Sequence, residues 1–445
     1  MENSKDLAQL IECVKIESKA QEEKFSVKNG ANFKQLKAEG FLLHPIKITR
    51  KSYGYADYPE LAFQVLYPSE SNAFKNGASI QVVYENEEPL KGLLLYLDGN
   101  KGELRLFAPD FPDWLEDRGI GVQLTPDQRT NEVMLNALKK IEDTHYLREL
   151  FDTIHSMQDD QQTINLSGKL VFKNTTLNSS QQIAVANGMA ERQLQIIHGP
   201  PGTGKTTTLV ELIYQLHLDK KRILITAPSN TAVDNLGIKF TNIGLYFLRV
   251  GNNSKVNETL LPYTIEGKMG EAKLKTTIKN LRIRSEQLRK MANQYKRNFG
   301  KAERDQRKLL LQEVKNIRKE IRKLQTDFET EVYEQNSILI GTPIGINDCH
   351  FKEFEFDVLM IDEAGQCLEP LAWVLFDKAK RIILAGDPFQ LPPTVISFEA
   401  EKKGLNISIL EQLINNNHST NFLDTQYRMR KSIADFSSAY FYGNK

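Results

Sequence analysis

From about residue 177 to the end of the chain, short apolar runs alternate with helical patterns, and this restricts the fold more than any other feature. The runs are LQIIH, RILITA, LYFLRV, SILIG, DVLMID and RIILAG. Each has the length of a buried strand, and apolar residues at consecutive positions mean that both faces are covered. Strands of this kind separated by helices build a parallel sheet in an α/β domain, with helices on both faces. Such sheets bind ligands at the carboxyl ends of their strands. Polar motifs that directly follow these runs are therefore the candidates for chemistry.

The first is GPPGTGKT at residues 199–206, between the strand LQIIH and the helical stretch TTLVELIYQL. GxxxxGK[ST] in a strand-to-helix setting is a phosphate-binding loop. Gly199, Gly202 and Gly204 let backbone N–H groups converge on phosphates, and the helix N-terminus adds favourable partial charge. Lys205 is placed to reach the β- and γ-phosphates and Thr206 to ligate Mg²⁺, with Thr207 next in the nucleotide-binding set. The second motif, Asp362-Glu363, ends the strand DVLMI. An aspartate there can hold Mg²⁺ through water, and the adjacent glutamate can accept a proton from the attacking water.

These two motifs establish an NTPase, and kinases, transporters and switches share them. The loop after RIILA narrows the choice, because it reads Gly386-Asp387-Pro388-Phe389-Gln390-Leu391-Pro392-Pro393. Gln390 can touch a γ-phosphate while the prolines face another ligand, so the loop can report nucleotide state to a second site. In Gln426-Tyr427-Arg428-Met429, Arg428 can supply charge to a phosphoryl transition state and Tyr427 offers a stacking face to a base. A purely structural role stands beside the functional one for Tyr427 and Gln390.

The rest of the chain has a different grain. Leu7, Leu10, Ile11 and Val14 make one apolar stripe at helical spacing near the N-terminus. Residues 38–124 carry six β-rich runs (FLLHPIKIT, LAFQVLY, SIQVVY, LKGLLLYL, ELRLFA, GVQL), with a hairpin loop expected at Asp98–Gly102; this spacing predicts a small antiparallel barrel. Thr125-Pro126-Asp127-Gln128 predicts the start of a helix capped by Thr125, running to about residue 158. Residues 268–335 interrupt the α/β region with two helical patterns flanking Asn298-Phe299-Gly300. Leu274, Ile278, Leu281, Leu288 and Tyr295 mark one side of an antiparallel hairpin, and Leu310, Val314, Ile317, Ile321, Leu324 and Phe328 the other. That segment holds 19 Lys and Arg against 10 Asp and Glu, so it carries +9 in a chain whose net charge is only +1. A solvated coiled-coil face, a phosphate contact and a protein partner all fit this charge.

No stretch approaches the roughly 20 apolar residues of a membrane helix. Cys13, Cys349 and Cys367 form no CxxC pair and read as reduced thiols, which points to a cytoplasmic protein, or a nuclear one in a eukaryote.

GPPGTGKT, DEAGQ, GDPFQLPP and QYRM, in this order, resemble superfamily 1 helicases. The likeness is to the 5′-to-3′ branch that includes the nonsense-mediated-decay helicase, senataxin and the immunoglobulin mu-binding helicase. LNSSQ before the phosphate loop, APSNTAVDNL after the second strand, and Gly341-Thr342 after SILI add to it. The resemblance implies a RecA-like P-loop NTPase domain at 166–445, interrupted by the 268–335 hairpin. It also implies an N-terminal stalk helix at 1–37, a small β-barrel at 38–124 and a second stalk helix at 125–165. It implies ATP and Mg²⁺ as cofactors and single-stranded DNA or RNA as partner. Gln181 would read the adenine with Tyr427 stacked on it, Gln390 and Arg428 would meet the γ-phosphate, and Pro228, Ser229, Asn230 and Thr342 would line the strand's track. APSN would also serve as an ordinary helix cap. The family's second RecA-like domain has no counterpart after Arg428 beyond a short helix, so the chain is expected to be the first half of a motor.

Two classes of function follow: a nucleic-acid-stimulated ATPase whose full form is a helicase, or a lobe that binds without turnover. A small-molecule kinase is disfavoured, since its chemistry does not call for GDPFQLPP and QYRM.

Overall fold

In the computed structural model, the described residues are 6–25, 33–54, 58–67, 73–84, 87–108, 110–116, 119–157, 170–271, 274–292, 300–349, 351–353 and 355–443. They form two seven-stranded sheets, one antiparallel and one parallel.

The antiparallel sheet consists of β1 (Leu42–Leu43), β2 (Ile46–Tyr53), β3 (Pro59–Val65), β4 (Ser79–Val83), β5 (Leu90–Asp98), β6 (Lys101–Leu106) and β7 (Gly121–Leu124). Its order is β1-β7-β4-β5-β6-β3-β2. The two end strands are consecutive pieces of one run of chain, and the Ile46 N–H donates to the Ile120 carbonyl, so the sheet curls closed. Inward residues alternate along β3 (Leu61, Phe63, Val65) and meet Ile80, Val82, Leu94, Leu104 and Val122 in one core. Gly99 takes φ +55° at the first position of the two-residue β5–β6 turn, where a positive φ favours glycine.

The parallel sheet runs β10 (Leu248–Arg249), β11 (Ile338–Gly341), β9 (Ile223–Thr226), β12 (Phe356–Ile361), β13 (Ala379–Gly386), β8 (Leu194–His198) and β14 (Thr420–Phe422). Successive residues of its central strands enter two different cores. Ile196, Leu224, Leu359 and Ile382 face one side, and Ile197, Ile225, Met360 and Ile383 the other. Helices Lys205–Leu218 and Asn230–Asn242 cover the second side through Leu209, Leu212, Val233, Leu236 and Phe240. The first side is covered by the N-terminal helix Leu7–Phe25, with Leu7, Leu10 and Val14, and by Met134, Leu138, Ile141, Leu147, Leu150 and Ile154. Each fully buried Leu or Ile contributes roughly 1.5–3 kcal/mol, so these flanking helices belong to the energetics of the sheet.

Two sequence expectations need correction, and one strand had no sequence signal. β14 was not anticipated, because Thr420-Asn421-Phe422 is short and only half-buried. The helix expected from Thr125 is two helices, Gln128–Asp143 and His145–His155, with Thr144 extended between them. Its cap is Asp127, which accepts the Thr130 N–H. Thr125 instead extends the β4–β7 ladder, its N–H donating to the Ser79 carbonyl.

The insertion between β10 and β11 contains helices Leu274–Ala292 and Lys301–Gln335. Ile278, Ile317 and Ile321 are buried along their seam, with Leu274, Leu281, Leu288 and Phe328 beside them; Tyr295, Asn298 and Phe299 lie outside the described residues. Part of the hairpin's positive charge is spent on the barrel. Arg289 and Arg318 lie 3.1 Å and 3.4 Å from the two oxygens of Asp110, and Arg318 stacks 4.6 Å above the Tyr53 ring.

Arg249, on β10, is 1% exposed and pairs with Asp234 at 2.8 Å. Burial pushes its pKa below the usual arginine value, with Asp234 opposing. Its NH2 also donates to Asn230 Oδ1, fixing the start of helix Asn230–Asn242. Removing one partner of a buried pair leaves an uncompensated charge. Asp234→Ala is therefore expected to cost about 3–5 kcal/mol in urea unfolding; a loss under 1 kcal/mol would mean the pair is not what holds this helix.

Candidate nucleotide-hydrolysis site

Because the sheet is parallel, its strands deliver their carboxyl ends to one edge, and the loops singled out in the sequence all start there. β8 leads into GPPGTGKT, β9 into Pro228-Ser229-Asn230, β11 into Thr342, β12 into Asp362-Glu363, β13 into Asp387–Gln390, and β14 toward Gln426–Arg428.

The phosphate loop is shaped by glycines that admit no side chain. Gly202 and Gly204 have φ of +81° and +80°. A Cβ on Gly202 would lie 2.7 Å from Cβ of Arg428, and one on Gly204 would lie 2.5 Å from Gln181 Nε2. Gly204 is the N-cap of helix Lys205–Leu218 and offers no side chain to it, so the first-turn N–H groups are not spent on a side-chain cap. Lys205 Nζ donates to the Gly199 carbonyl at 2.6 Å, curled over the loop it belongs to.

Asp362 is 3% exposed. Burial and then the neighbouring Glu363 push its carboxyl up to about 6, while the Glu363 N–H, Lys205 and Lys239 pull it down. Glu363 follows in the left-handed region at φ 53° and ψ 37°. A non-glycine residue there is strained, and such strain gathers at functional sites. Beside Asp362, Thr226 Oγ1 is buried without a hydrogen-bond partner, while the Thr226 carbonyl accepts the Asp362 N–H. A buried carboxylate and an orphaned hydroxyl, with the Thr206 hydroxyl in the first turn of helix Lys205–Leu218, are hard oxygen donors that suit Mg²⁺ and its waters.

Gln181 is 4% exposed and closes a capping box with Asn178, while its Nε2 donates to the Thr203 carbonyl at 3.0 Å. The described contacts thus make it a brace of the phosphate loop. Tyr427 is exposed; its N–H donates to the Gly202 carbonyl and its hydroxyl accepts from Asn178 Nδ2 at 2.8 Å. Arg428 is thereby held against the phosphate loop by its backbone, with its side chain in solvent. Gln390 Nε2 donates to Asp387 at 3.0 Å.

The residues expected to line a nucleic-acid track sit apart. Ser229 caps helix Asn230–Asn242 and Thr342 caps helix Pro343–Asn347, on neighbouring strands β9 and β11. These strands lie three and four places from β8 in the sheet, about 14 and 19 Å at the usual strand spacing. Pro228 stands half-buried next to Ser229.

Sequence reasoning missed two residues. Lys239 carries an ammonium pushed below the usual lysine range by burial, with Asp362 pulling it up and Arg428 pushing it further down. It therefore shares the field of the acidic and arginine motifs, and nothing in APSNTAVDNLGIK marked it. Asp387 was read only as part of a loop, yet it is a buried hub for four donors.

A family model described as an AAA domain matches residues 176–398, half of the chain, and a second of the same description matches 405–445. The chain belongs to this family, within the superfamily 1 helicase group of the nonsense-mediated-decay helicase, senataxin and the immunoglobulin mu-binding helicase. Among its relatives is the DNA polymerase alpha-associated DNA helicase A of Schizosaccharomyces pombe, 32% identical over 72% of this chain and 47% of that protein. DNA-binding protein SMUBP-2 of Rattus norvegicus is 34% identical over 61% of this chain and 28% of its own length. ATP-dependent helicase NAM7 of Saccharomyces cerevisiae is 33% identical over 60% and 25%. The chain thus spans about half or less of the length of these curated relatives. No helix among the described residues is long and apolar enough to cross a membrane.

The raised Asp362 carboxyl has a consequence for stability. With its pKa about 6 in the folded protein and 3.8 as the reference, the neutral form is favoured by folding. Its contribution is full below about pH 4 and is lost as pH rises through 6, the loss amounting to about 3 kcal/mol by neutral pH. Asp362→Asn should therefore raise the melting temperature at pH 8 without Mg²⁺, and the gain should vanish only below about pH 4. An equal effect at both pH values would contradict it.

Proposed function

We propose that this chain is the ATP-hydrolysing lobe of a helicase that moves along single-stranded nucleic acid, in the 5′-to-3′ direction of its family. The observation that carries the reading is the convergence of the phosphate loop, the buried Asp362 and the strained Glu363 at one sheet edge, with Arg428 packed over Gly202. An isolated phosphate loop would need none of the last three.

Each residue then has a task. Lys205, 2.6 Å from the Gly199 carbonyl, exchanges that contact for the β- and γ-phosphates. Asp362 and the Thr206 hydroxyl hold Mg²⁺, which neutralises charge on the phosphates when bound. Glu363 accepts the proton of the attacking water, Gln390 meets the γ-phosphate, and Arg428 places its guanidinium on developing charge. Tyr427, exposed above Asn178, offers a ring to the adenine. Gln181 could reach the base only by leaving its capping box or the Thr203 carbonyl. Ser229, Asn230 and Thr342, beside Pro228, bind backbone phosphates of the strand. The spacing of this track from the phosphate loop supports separate nucleotide and nucleic-acid regions on one rigid sheet.

The test is ATP turnover with and without single-stranded DNA and RNA. Wild type should turn over ATP and be stimulated by the strand, Lys205→Ala should do neither, and Glu363→Gln should retain ATP binding with turnover lowered roughly 10²- to 10⁴-fold. ATP binding without any turnover would favour a binding lobe, and unchanged turnover in Glu363→Gln would remove that residue from its role.

A further inference from the structure

Asp387 lies at the end of β13, is 2% exposed, and collects donors from three separate parts of the chain. His198 Nε2, at the last residue before the phosphate loop, is 3.3 Å from Oδ1, and the Phe389 N–H donates to the same oxygen at 3.2 Å. Gln390 Nε2 and the Tyr442 hydroxyl share Oδ2, at 3.0 and 2.7 Å. Burial alone would raise this carboxyl, but the four hydrogen bonds outweigh it and hold it below the usual aspartate range. An ionised carboxylate only accepts hydrogen bonds, so the amide nitrogen of Gln390 must face it. The amide oxygen of Gln390 is then the end left to meet a water or other donor at the phosphate.

Tyr442 directly follows helix Lys431–Phe441, which itself begins three residues after Arg428. No residue of that helix is buried. It is anchored on both of its flanks. At one, Tyr427 N–H is bonded to the Gly202 carbonyl; at the other, Tyr442 is bonded to Asp387 and packed among His198, Phe389 and Phe422 at 6.1, 5.5 and 6.3 Å between ring centres. The acidic loop joins the same hub, since a Cβ on Gly365 would lie 2.4 Å from the Asp387 carbonyl oxygen.

We propose that Tyr442 is a positioning residue for hydrolysis: through Asp387 it fixes which end of the Gln390 amide faces the γ-phosphate, and so ties that amide to the segment carrying Arg428. Asp387 is the shared anchor, and His198 restrains its other oxygen from the phosphate-loop side. The assignment rests on the ATPase reading above. It adds that the Gln390 loop and the Arg428 segment move as one unit, because one oxygen atom holds both.

Tyr442→Phe keeps the ring packing and removes only the hydroxyl. The experiment compares affinities for Mg·ADP and for Mg·ADP with aluminium fluoride, a mimic of the γ-phosphoryl transition state. Wild type should prefer the fluoride complex. Tyr442→Phe should bind Mg·ADP within about twofold of wild type and lose about tenfold of that preference, the scale of one hydrogen bond to a charged group. Gln390→Ala should lose a similar amount, and the double variant no more than the larger single loss, as expected for residues acting through one contact. A merely structural role for Tyr442 would weaken both ligands alike. Equal loss for both ligands, undiminished preference in Tyr442→Phe, or additive losses would each overturn the assignment while leaving the ATPase reading intact. A wild type that binds Mg·ADP without preferring the fluoride complex overturns it as well, since there is then no sensor to position. A wild type that binds neither ligand overturns the nucleotide reading itself, and this assignment with it.

Discussion

Asp362 must be ionised to serve a metal, yet it sits at the end of a central strand where water is nearly excluded. Ionising a carboxyl in such a place is unfavourable unless positive charge is supplied. Much of the surrounding arrangement supplies it. Lys205 approaches from the phosphate loop and Lys239 from the helix after β9, and the Glu363 N–H donates directly to the carboxylate at 2.9 Å. The glycines of the phosphate loop let neighbouring segments come close enough for this, with Arg428 backbone seated on Gly202 and Gln181 beneath Gly204. Positive charge brought close to Asp362 would therefore favour its ionised form.

The parallel sheet makes this possible at little conformational cost. Its strands are buried on both faces, so their ends are fixed by apolar packing far from the polar edge. The stalk helices join one of those faces, and the hairpin enters between two adjacent strands, β10 and β11. The barrel is in turn held to the hairpin by Asp110 with Arg289 and Arg318. Barrel, hairpin and the sheet edge that carries the phosphate loop are therefore linked through packed or hydrogen-bonded elements.

The sequence showed some of this and hid the rest, for physical reasons. LQIIH, DVLMI and RIILAG were legible because strands buried on both faces carry consecutive apolar residues through their centres. Thr420-Asn421-Phe422 was not, because an edge strand can remain polar and short. The break at Thr144 left no glycine or proline, and the helical spacing from Leu138 through Ile141 to Leu147 ran straight across it. Thr125 looked like a cap, but its N–H was already used in the barrel ladder. The phosphate loop and Asp362-Glu363 were visible because their chemistry demands residue types at fixed local spacing. The Asp387 hub was not, since its partners His198 and Tyr442 are 189 and 55 residues away in the chain. Gln181 was assigned to the base by resemblance, whereas its visible contacts are an Asx-type capping box and the Thr203 carbonyl.

The account stands on the claim that the phosphate loop and the buried Asp362 form one site for a metal–nucleotide complex. The most direct measurement is calorimetric titration of the chain with a non-hydrolysable ATP analogue, with and without Mg²⁺, for wild type, Lys205→Ala and Asp362→Asn. Binding that is strengthened by Mg²⁺ in wild type, weakened in Lys205→Ala, and no longer sensitive to Mg²⁺ in Asp362→Asn is the predicted result. Binding that is indifferent to Mg²⁺ in wild type, or equally Mg²⁺-dependent in Asp362→Asn, would contradict it.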